Sequence, residues 1–386
     1  MYKVKTFNKI AKEGLDRLPD NFAITEDMDY DAIILRSYKM SEAELTDKLC
    51  AVGRAGAGVN NIPVDMYAEK GVVVFNAPGA NANAVKELVI LGMLLTTRKV
   101  VAGIEWLQSQ KDSDIDIEKE VESHKSAYAG PEILNKSVGV IGLGAIGAKV
   151  ANALNALGMN VYGYDPFISV DAAWYIDKDV KRVNNIDWIL QNCDFVTIHV
   201  PLNDKTRDTI NKENLKKAKD GIRIINLARG GLCNDEAILE GIQSGKVGCY
   251  VTDFPNEKLL GNDKIIAIPH LGASTPESET NCAIMVADQV TDYMVNGNIK
   301  NSVNYPACNM GARSAKTRIT LCHKNVPNMV GQITGTLAND QINISDMINK
   351  SKGNYAYTMI DVDEDVNEKV INDLSAIDGV LKVRKL

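Results

Sequence analysis

The chain has 386 residues, which is too long for one hydrophobic core and predicts two or three domains. A hydrophobic fraction of 45% and a charged fraction of 24% are ordinary for a globular protein. The formal charge of −7, without a basic run, argues against a nucleic-acid partner, and no apolar run is long enough for a membrane span. Seven dispersed cysteines predict reduced thiols, no metal site and a cytoplasmic location.

Short apolar runs alternate with polar or helical stretches in the first part of the chain. The runs lie at residues 3–7, 32–35, 49–53 and 72–75. Strands that alternate with helices predict a small parallel sheet, of the flavodoxin-like kind. A helical pattern from about residue 84 to 108 then leads into the next domain, and residues 111–125 form a charged, exposed helix or loop.

A glycine-rich turn follows the apolar strand at residues 138–141 and opens a helix. Gly142 permits the tight turn, Gly144 lets a pyrophosphate approach the backbone, and Gly147 lets the helix pack close to the strand. The first helical residues, Ala145 and Ile146, present N–H groups and the positive end of the helix dipole to the phosphates. The turn therefore predicts a dinucleotide site in a Rossmann-type domain.

The second strand of this unit ends at Asp165, about twenty residues beyond the turn. A carboxylate at this place accepts hydrogen bonds from the ribose hydroxyls and repels a 2′-phosphate. The predicted cofactor is therefore NAD rather than NADP.

The dinucleotide domain continues with strands at residues 195–200, 222–227 and 265–268. An amphipathic helix at residues 277–296 is expected to return to the first domain, and residues 301–315 are interpreted as a linker. Beyond the linker the predicted order is strand, helix, strand, strand, helix, strand, which is the ferredoxin-like arrangement.

Three side chains are the candidates for catalysis. His270 follows a strand end, where open α/β sheets bind ligands, and can accept the proton of a substrate hydroxyl. Arg229 precedes two glycines and can grip a carboxylate with two hydrogen bonds. Glu257 is the carboxylate that could hold and orient the His270 ring.

These motifs, in this order, resemble the D-isomer-specific 2-hydroxyacid dehydrogenases. The resemblance covers residues 1 to 300 and implies His270 as acid/base, Glu257 as its partner and Arg229 as the substrate-binding cation. It also implies that Asp253 contacts the nicotinamide carboxamide. Further cofactor contacts implied by the resemblance are His199, Val200, Pro201, Ala228, His270 and Gly272.

One departure from the family pattern concerns the catalytic glutamate. The family usually has one more residue between the aspartate and the glutamate, so an ungapped comparison puts Lys258 at the glutamate's position. Because a lysine cannot serve as the carboxylate partner of a histidine, we assign Glu257 with a one-residue deletion in the loop.

The segment that begins at Arg54 resembles the substrate loop of the family. Backbone N–H groups near Ala57 and Gly58 can bind a carboxylate, and Arg54 supplies positive charge for a second anionic group. Within the family the loop, together with the segment that ends at Asn81, is most similar to the phosphoglycerate dehydrogenases. The resemblance therefore implies Arg54, Ala57, Gly58, Asn81, Arg229 and His270 as substrate contacts.

The C-terminal pattern resembles an ACT domain, a small module that senses amino acids. In the serine-inhibited members of the family the matching positions, His323, Asn325 and Asn343, bind L-serine at a subunit interface. Asn328 stands where the family commonly has glycine, and asparagine tolerates a left-handed backbone better than most residues.

The sequence thus predicts NAD-dependent oxidation of D-3-phosphoglycerate by a homodimer or homotetramer. The predicted domains are a substrate-binding domain (1–96, returning at 276–312 with the linker), an NAD-binding domain (97–275) and an ACT domain (313–386). Two alternatives stay open: another D-2-hydroxyacid dehydrogenase, or an NAD-sensing, corepressor-like binding protein.

Overall fold

The structure is a computed structural model that describes residues 1–386, apart from the side chain of Asp171. The chain forms two compact units, one built from residues 1–81 and 276–386 and the other from residues 82–275. Among the helices of the described residues, none combines the length and the apolar composition that a bilayer crossing requires.

The first unit begins with a parallel sheet in the order β2-β1-β3-β4-β5, which is the flavodoxin-like order and confirms that prediction. Both faces of β3 are buried, because helices cover a parallel sheet on both sides. The elements are β1 (Tyr2–Phe7), α1 (Lys12–Leu15), β2 (Phe22–Thr25), β3 (Ala32–Leu35), β4 (Ala51–Arg54), α2 (Val64–Glu69) and β5 (Val73–Phe75).

The second unit contains a parallel sheet in the order β12-β11-β10-β9-β6-β7-β8. The strand order reverses between β6 and β9, so the sheet has the Rossmann arrangement with its switch point beside the glycine turn. The strands are β6 (Ser137–Ile141), β7 (Asn160–Tyr164), β8 (Lys181–Arg182), β9 (Phe195–Ile198), β10 (Ile222–Asn226), β11 (Val247–Thr252) and β12 (Ile265–Ala267). The helices are α3 (Ala82–Thr97), α4 (Val100–Ser109), α5 (Ile117–His124), α6 (Ala145–Ala156), α7 (Val170–Trp174), α8 (Ile186–Asn192), α9 (Lys212–Leu215) and α10 (Asp235–Gln243).

The structure has two helices, α3 and α4, where one long helix is expected at residues 84–108. The prediction of a single helix is therefore wrong. The hydroxyls of Thr96 and Thr97 donate to carbonyls three residues earlier, at 2.7 and 2.8 Å. Such bonds compete with the backbone ladder at the end of α3. Lys99 then has a non-helical ψ of 51°, and α4 begins as a separate helix at Val100.

Helix α11 (Pro276–Asn296) returns to the first unit, as predicted. Two glycines make room for it. A Cβ atom on Gly53 of β4 would lie 2.3 Å from the Val286 side chain, and one on Gly14 of α1 would lie 2.5 Å from the Cβ of Ala283. The small residues therefore let α11 pack directly on the sheet.

The C-terminal segment forms an antiparallel sheet in the order β14-β15-β13-β16, which is ferredoxin-like and confirms the prediction for this region. Its elements are β13 (Thr317–Lys324), α12 (Met329–Asn339), β14 (Ile344–Lys352), β15 (Tyr355–Val362), α13 (Glu368–Ser375) and β16 (Val380–Lys385). Asn328 precedes α12 with a left-handed φ of 63°, as its replacement of glycine predicts.

Two arginines, the buried Arg318 and the half-buried Arg384, join this C-terminal sheet to the end of α11. Arg318 forms a two-pronged ion pair with Asp361, at 2.6 and 2.7 Å, and donates to the carbonyl of Asn296. Arg384 donates to the carbonyls of Tyr293 and Met294. Positive groups at a helix C-terminus satisfy its free carbonyls and its dipole.

The segment that precedes β13 is not a free linker over residues 301–308, so this part of the linker prediction is wrong. The amide of Asn304 is hydrogen-bonded to the backbone of Val72 and Val74, at 2.9 Å in each case. Tyr305 is buried and donates from its hydroxyl to the carbonyl of Ala68. The segment therefore belongs to the core of the first unit.

Candidate active site

The glycine turn has the geometry that the sequence predicts. Gly142 has a φ of +89°, which favours glycine, and a Cβ on Gly147 would lie 1.8 Å from the carbonyl oxygen of Gly142. A Cβ on Gly144 would meet nothing within 4 Å. The turn therefore has no room for a side chain at Gly147, where α6 packs against it. It does have room beside Gly144, where a phosphate would approach.

The Asp165 carboxylate is held against this turn. One oxygen accepts the N–H of Leu143 and the other accepts the N–H of Phe167, both at 2.9 Å. These bonds fix the carboxylate at the end of β7, beside the turn, where a ribose is recognised in dinucleotide-binding folds.

A second carboxylate, Asp253, is buried just after β11. One of its oxygens accepts the N–H of Gly272 at 3.1 Å, and the other has no hydrogen-bond partner among the described residues. Burial raises the pKa of Asp253, while the nearby charges of His270 and Arg229 oppose that rise. The free oxygen is a ready acceptor for an amide donor.

Arg229 and His270 follow β10 and β12 of the same sheet, at its carboxyl edge. The backbone of Arg229 is fixed by the Asn226 amide, which donates to its carbonyl at 2.9 Å, and its guanidinium donates to the carbonyl of Ala228 at 2.7 Å. The exposed His270 ring packs on Phe254, with ring centroids 4.5 Å apart. The second unit thus brings together an imidazole, a guanidinium and a buried carboxylate, as the sequence predicts.

The loop after β4 is anchored within the first unit. Arg54 donates from Nε to the carbonyl of Arg36 at 3.1 Å, and its guanidinium covers Gly56, where a Cβ would lie 2.2 Å from Nη1. The amide of Asn76 donates to the carbonyl of Ala57 at 2.6 Å. The Oδ1 atom of Asn81 is buried without a hydrogen-bond partner among the described residues.

Comparison with known proteins identifies the family. Residues 90–272 match the D-isomer specific 2-hydroxyacid dehydrogenase, NAD binding domain. A hydroxypyruvate reductase from Thermotoga maritima is 37% identical over 272 residues, which are 67% of this chain and 83% of that protein. The chain belongs to the D-isomer specific 2-hydroxyacid dehydrogenase family.

Other similar proteins are D-3-phosphoglycerate dehydrogenases. That of Archaeoglobus fulgidus is 36% identical over 77% of this chain and 55% of its own length, and that of Haemophilus influenzae is 29% identical over 91% and 85%. The chain thus spans little more than half the length of several of these relatives. An NAD+-bound 3-phosphoglycerate dehydrogenase structure from Entamoeba histolytica shares the fold, with a TM-score of 0.59, 24% identity, and coverage of 78% of this chain and 98% of that one.

The residues of this chain fit NAD, the cofactor that gives the matching family domain its description. The open side of Gly144 leaves room for the pyrophosphate, and the free oxygen of Asp253 suits the carboxamide donor of the nicotinamide. His199 is the third predicted contact in this region. Its Nε2 lies 2.9 Å from the Thr197 hydroxyl, and its buried Nδ1 has no hydrogen-bond partner among the described residues.

Burial lowers the pKa of His199 to about 3, so the ring is neutral at physiological pH. It lies beneath the glycine turn, since a Cβ on Gly147 would be 3.5 Å from the Cβ of His199. The neutral ring therefore supports the turn from inside the second unit, while Val200 is half-buried and Pro201 is exposed.

The structure does not pair Glu257 with His270. Glu257 is exposed at the start of a short 3-10 helix capped by Asn256, and it forms no hydrogen bond or ion pair with His270. Lys258 points elsewhere and forms an ion pair with Glu236. Catalytic hydrogen bonds are often long before substrate binds, so the assignment of Glu257 stays a prediction.

The three predicted effector residues do not form one site within a single chain. His323 is buried, and its ring nitrogens contact the Lys324 carbonyl and the Thr358 hydroxyl at 2.8 and 2.9 Å. Asn325 donates to the carbonyl of Gly353, beyond the end of β14, whereas Asn343 precedes its start. The nine residues of β14 span roughly 30 Å.

Three supporting residues were missed in the sequence: Phe254 beside His270, Asn76 beneath the substrate loop, and Thr197 beside His199. The sequence shows that Phe254 is next to Asp253 and that Thr197 is two residues from His199. It does not show which way the two side chains point. Asn76 lies nineteen residues from Ala57, so only the fold brings the two together.

Proposed function

We propose that the protein is an NAD-dependent D-3-phosphoglycerate dehydrogenase that forms 3-phosphohydroxypyruvate, the first step towards L-serine. The observation that carries the proposal is the anchored loop of Arg54, which holds a guanidinium and the backbone of Ala57 in place for a substrate with two anionic ends. The relatives named D-3-phosphoglycerate dehydrogenase, in Archaeoglobus fulgidus and Haemophilus influenzae, support the same choice.

In the proposed reaction the C2 hydroxyl of the substrate loses its proton to the His270 imidazole while C2 loses a hydride. Bound NAD supplies the hydride acceptor. The Arg229 guanidinium binds the substrate carboxylate and the developing C2 carbonyl, and Arg54 binds the phosphate. His270 is solvent-exposed, so the proton that it accepts can pass to water.

A second candidate is a dehydrogenase for another 2-hydroxy acid, which the Thermotoga maritima hydroxypyruvate reductase favours. The deciding experiment measures NADH consumption with 3-phosphohydroxypyruvate, hydroxypyruvate and 2-oxoglutarate in parallel. The proposal requires the highest kcat/KM for 3-phosphohydroxypyruvate. Turnover of none of the three would favour the corepressor-like binding protein instead.

The proposal extends to regulation, assembly and location. We propose that residues 313–386 are an ACT domain that binds L-serine between two copies of the chain, in a cytoplasmic homodimer or homotetramer. An antiparallel meeting of two β14 edges would bring Asn325 of one copy towards Asn343 of the other, because the two residues lie at opposite ends of β14. Sedimentation with and without L-serine, together with inhibition by L-serine, tests both points; a monomer that is insensitive to serine would contradict them.

A further inference from the structure

A groove of about 590 Å³ lies in the first unit, where the end of β14 meets the segment 301–307. Its lining includes Ser302, Tyr305, Pro306, Lys350, Ser351 and Lys352; we call it the β14 groove. None of the residues that line it is acidic, although the protein as a whole has a formal charge of −7. The groove is therefore a basic site in an acidic protein.

Both lysines lie on the same face of the sheet. Residues 348, 350 and 352 share one face of β14 because side chains alternate along a strand. Ile348 packs in the hydrophobic core that the C-terminal sheet shares with the rest of the first unit, whereas Met347 packs on the side of the sheet that carries the helices. Lys350 and Lys352 therefore face the segment 301–307.

The ammonium group of Lys352 is already oriented. Its Nζ donates to the carbonyl of Ser302 at 2.9 Å, which leaves two of its N–H donors for a ligand. Desolvation lowers the pKa of Lys352, and neither lysine has a carboxylate partner in the described part of the chain. A bound anion would supply the missing counter-charge, and holding a donor in place before binding reduces the entropy that binding costs.

The walls of the groove strengthen such an interaction. Tyr305 is buried and its ring lies 5.6 Å from that of Tyr355, and Pro306 is buried beside it. Low-dielectric walls around charges of one sign focus the electrostatic field into a cleft. An anion in the groove therefore meets two exposed lysines beside a buried, apolar wall.

We propose that the β14 groove binds a small polyanion that carries phosphate or carboxylate oxygens. This site is separate from the predicted effector residues. His323 points to the helix side of the sheet, because its neighbour Cys322 packs in the core shared with the first unit. The proposal also stands apart from the substrate loop, whose cation is Arg54.

The test is lysine acetylation of the full-length protein, read by mass spectrometry, with inorganic phosphate, citrate or chloride at equal ionic strength. Phosphate or citrate should slow acetylation of both Lys350 and Lys352, while the exposed Lys111 and Lys178 are unaffected. The phosphate and citrate arms separate a phosphorylated ligand from a polycarboxylate. Slowing no greater than that of the two control lysines would overturn the proposal.

A variant provides a second readout that is independent of catalysis. Lys350→Gln combined with Lys352→Gln should weaken binding of the effective anion about tenfold or more in calorimetry, and Lys111→Gln with Lys178→Gln should leave it unchanged. The titration is repeated with both lysine variants made in an Arg54→Gln background, in which anion binding at the substrate loop is removed. Undiminished binding by the Lys350/Lys352 variant in that background would also overturn the proposal, whatever the enzyme's substrate is.

Discussion

The buried carboxylate of Asp253 accepts a hydrogen bond of 3.1 Å from the backbone N–H of Gly272. This bond ties the end of β11 to the loop that carries His270. Because only one oxygen of the carboxylate is used, the same side chain both holds the loop and leaves an acceptor for a ligand. The position thus combines a structural role with the cofactor-binding role that we propose for it.

The variant Asp253→Asn should be more stable than the wild type at pH 7 and bind NAD more weakly. Burial raises the pKa of Asp253 in the folded state, so the stability linked to its protonated form is present at low pH and lost as pH rises through the folded pKa. Asparagine is uncharged and can still accept from Gly272. The gain in Tm over the wild type should therefore shrink as the pH is lowered into the carboxyl range.

Thermal melts across pH and titration with NAD measure both effects. The control is Asp263→Asn, an exposed residue without a hydrogen bond from its side chain among the described residues, which should change neither quantity. A constant difference in Tm at every pH would show that ionisation of Asp253 is not the cause.

The glycine turn gives a matched pair of variants. Gly147→Ala places a Cβ 1.8 Å from the carbonyl oxygen of Gly142, so α6 must shift, at a cost of about 1–3 kcal/mol in the free energy of unfolding. Gly144→Ala meets nothing within 4 Å and keeps an allowed φ of −69°, so its stability should change by less than about 0.5 kcal/mol.

Measuring NAD binding by the two variants distinguishes an effect on the cofactor site from a loss of stability. Gly144→Ala should still weaken NAD binding about tenfold or more, since its methyl group occupies the open side of the turn. Denaturant unfolding and calorimetric titration provide the measurements. Wild-type NAD affinity in Gly144→Ala would mean that the pyrophosphate does not approach this face.

The fold was largely predictable because its signals are local. Alternating apolar runs predicted the parallel sheets, the glycine spacing predicted the turn before α6, and the C-terminal order of elements was correct. The strands β2, β8 and β11 were not predicted; β8 is short and exposed, and β11 contains a glycine that weakens a strand pattern. The break after Thr97 depends on side-chain hydrogen bonds that hydrophobic periodicity does not report.

The site was predictable where one motif carries it and less so where distant segments meet. The orientation of Asp253 by Gly272, and of Ala57 by Asn76, arises from contacts across nineteen residues in each case. The burial of His323 could not be read from its motif, because it depends on which face of β13 packs on the helices. The linker prediction fails over residues 301–308 because the burial of this segment depends on contacts with Ala68, Val72 and Val74, far away along the chain.

The assignment of Glu257 can be tested against its neighbour. Glu257→Gln should lower kcat about 100-fold without changing the KM for NAD, because the group acts through His270 and not on the cofactor. Glu257→Asp should restore part of the loss. Lys258→Gln removes only an exposed ion pair with Glu236 and should stay within about twofold of the wild type.

The alternative alignment makes the opposite forecast. If Lys258 stands at the functional position, its variant loses activity and Glu257→Gln does not. Steady-state kinetics of the three variants at one pH therefore decide between the two positions.

The buried pair of Arg318 and Asp361 should be needed for stability. Arg318→Met leaves a buried carboxylate without its partner and removes the donor to Asn296, which should cost about 3–5 kcal/mol in the free energy of unfolding. The control is Lys385→Met, whose partner Asp365 is exposed and which should cost about 1 kcal/mol or less. Equal effects of the two variants in urea unfolding would contradict a special role for the buried pair.

Replacement of His270 tests the proposed chemistry itself. His270→Ala should lower kcat about 10²- to 10⁴-fold, because it removes the group that accepts the substrate's hydroxyl proton. NADH binding, followed by fluorescence titration, should persist, since the glycine turn, Asp165 and Asp253 are untouched. His124→Ala, which changes another exposed histidine on α5, should leave kcat and NADH affinity at wild-type values. Full turnover by His270→Ala would remove the imidazole from the mechanism. Arg229 could not replace it as proton acceptor, because a guanidinium is always protonated.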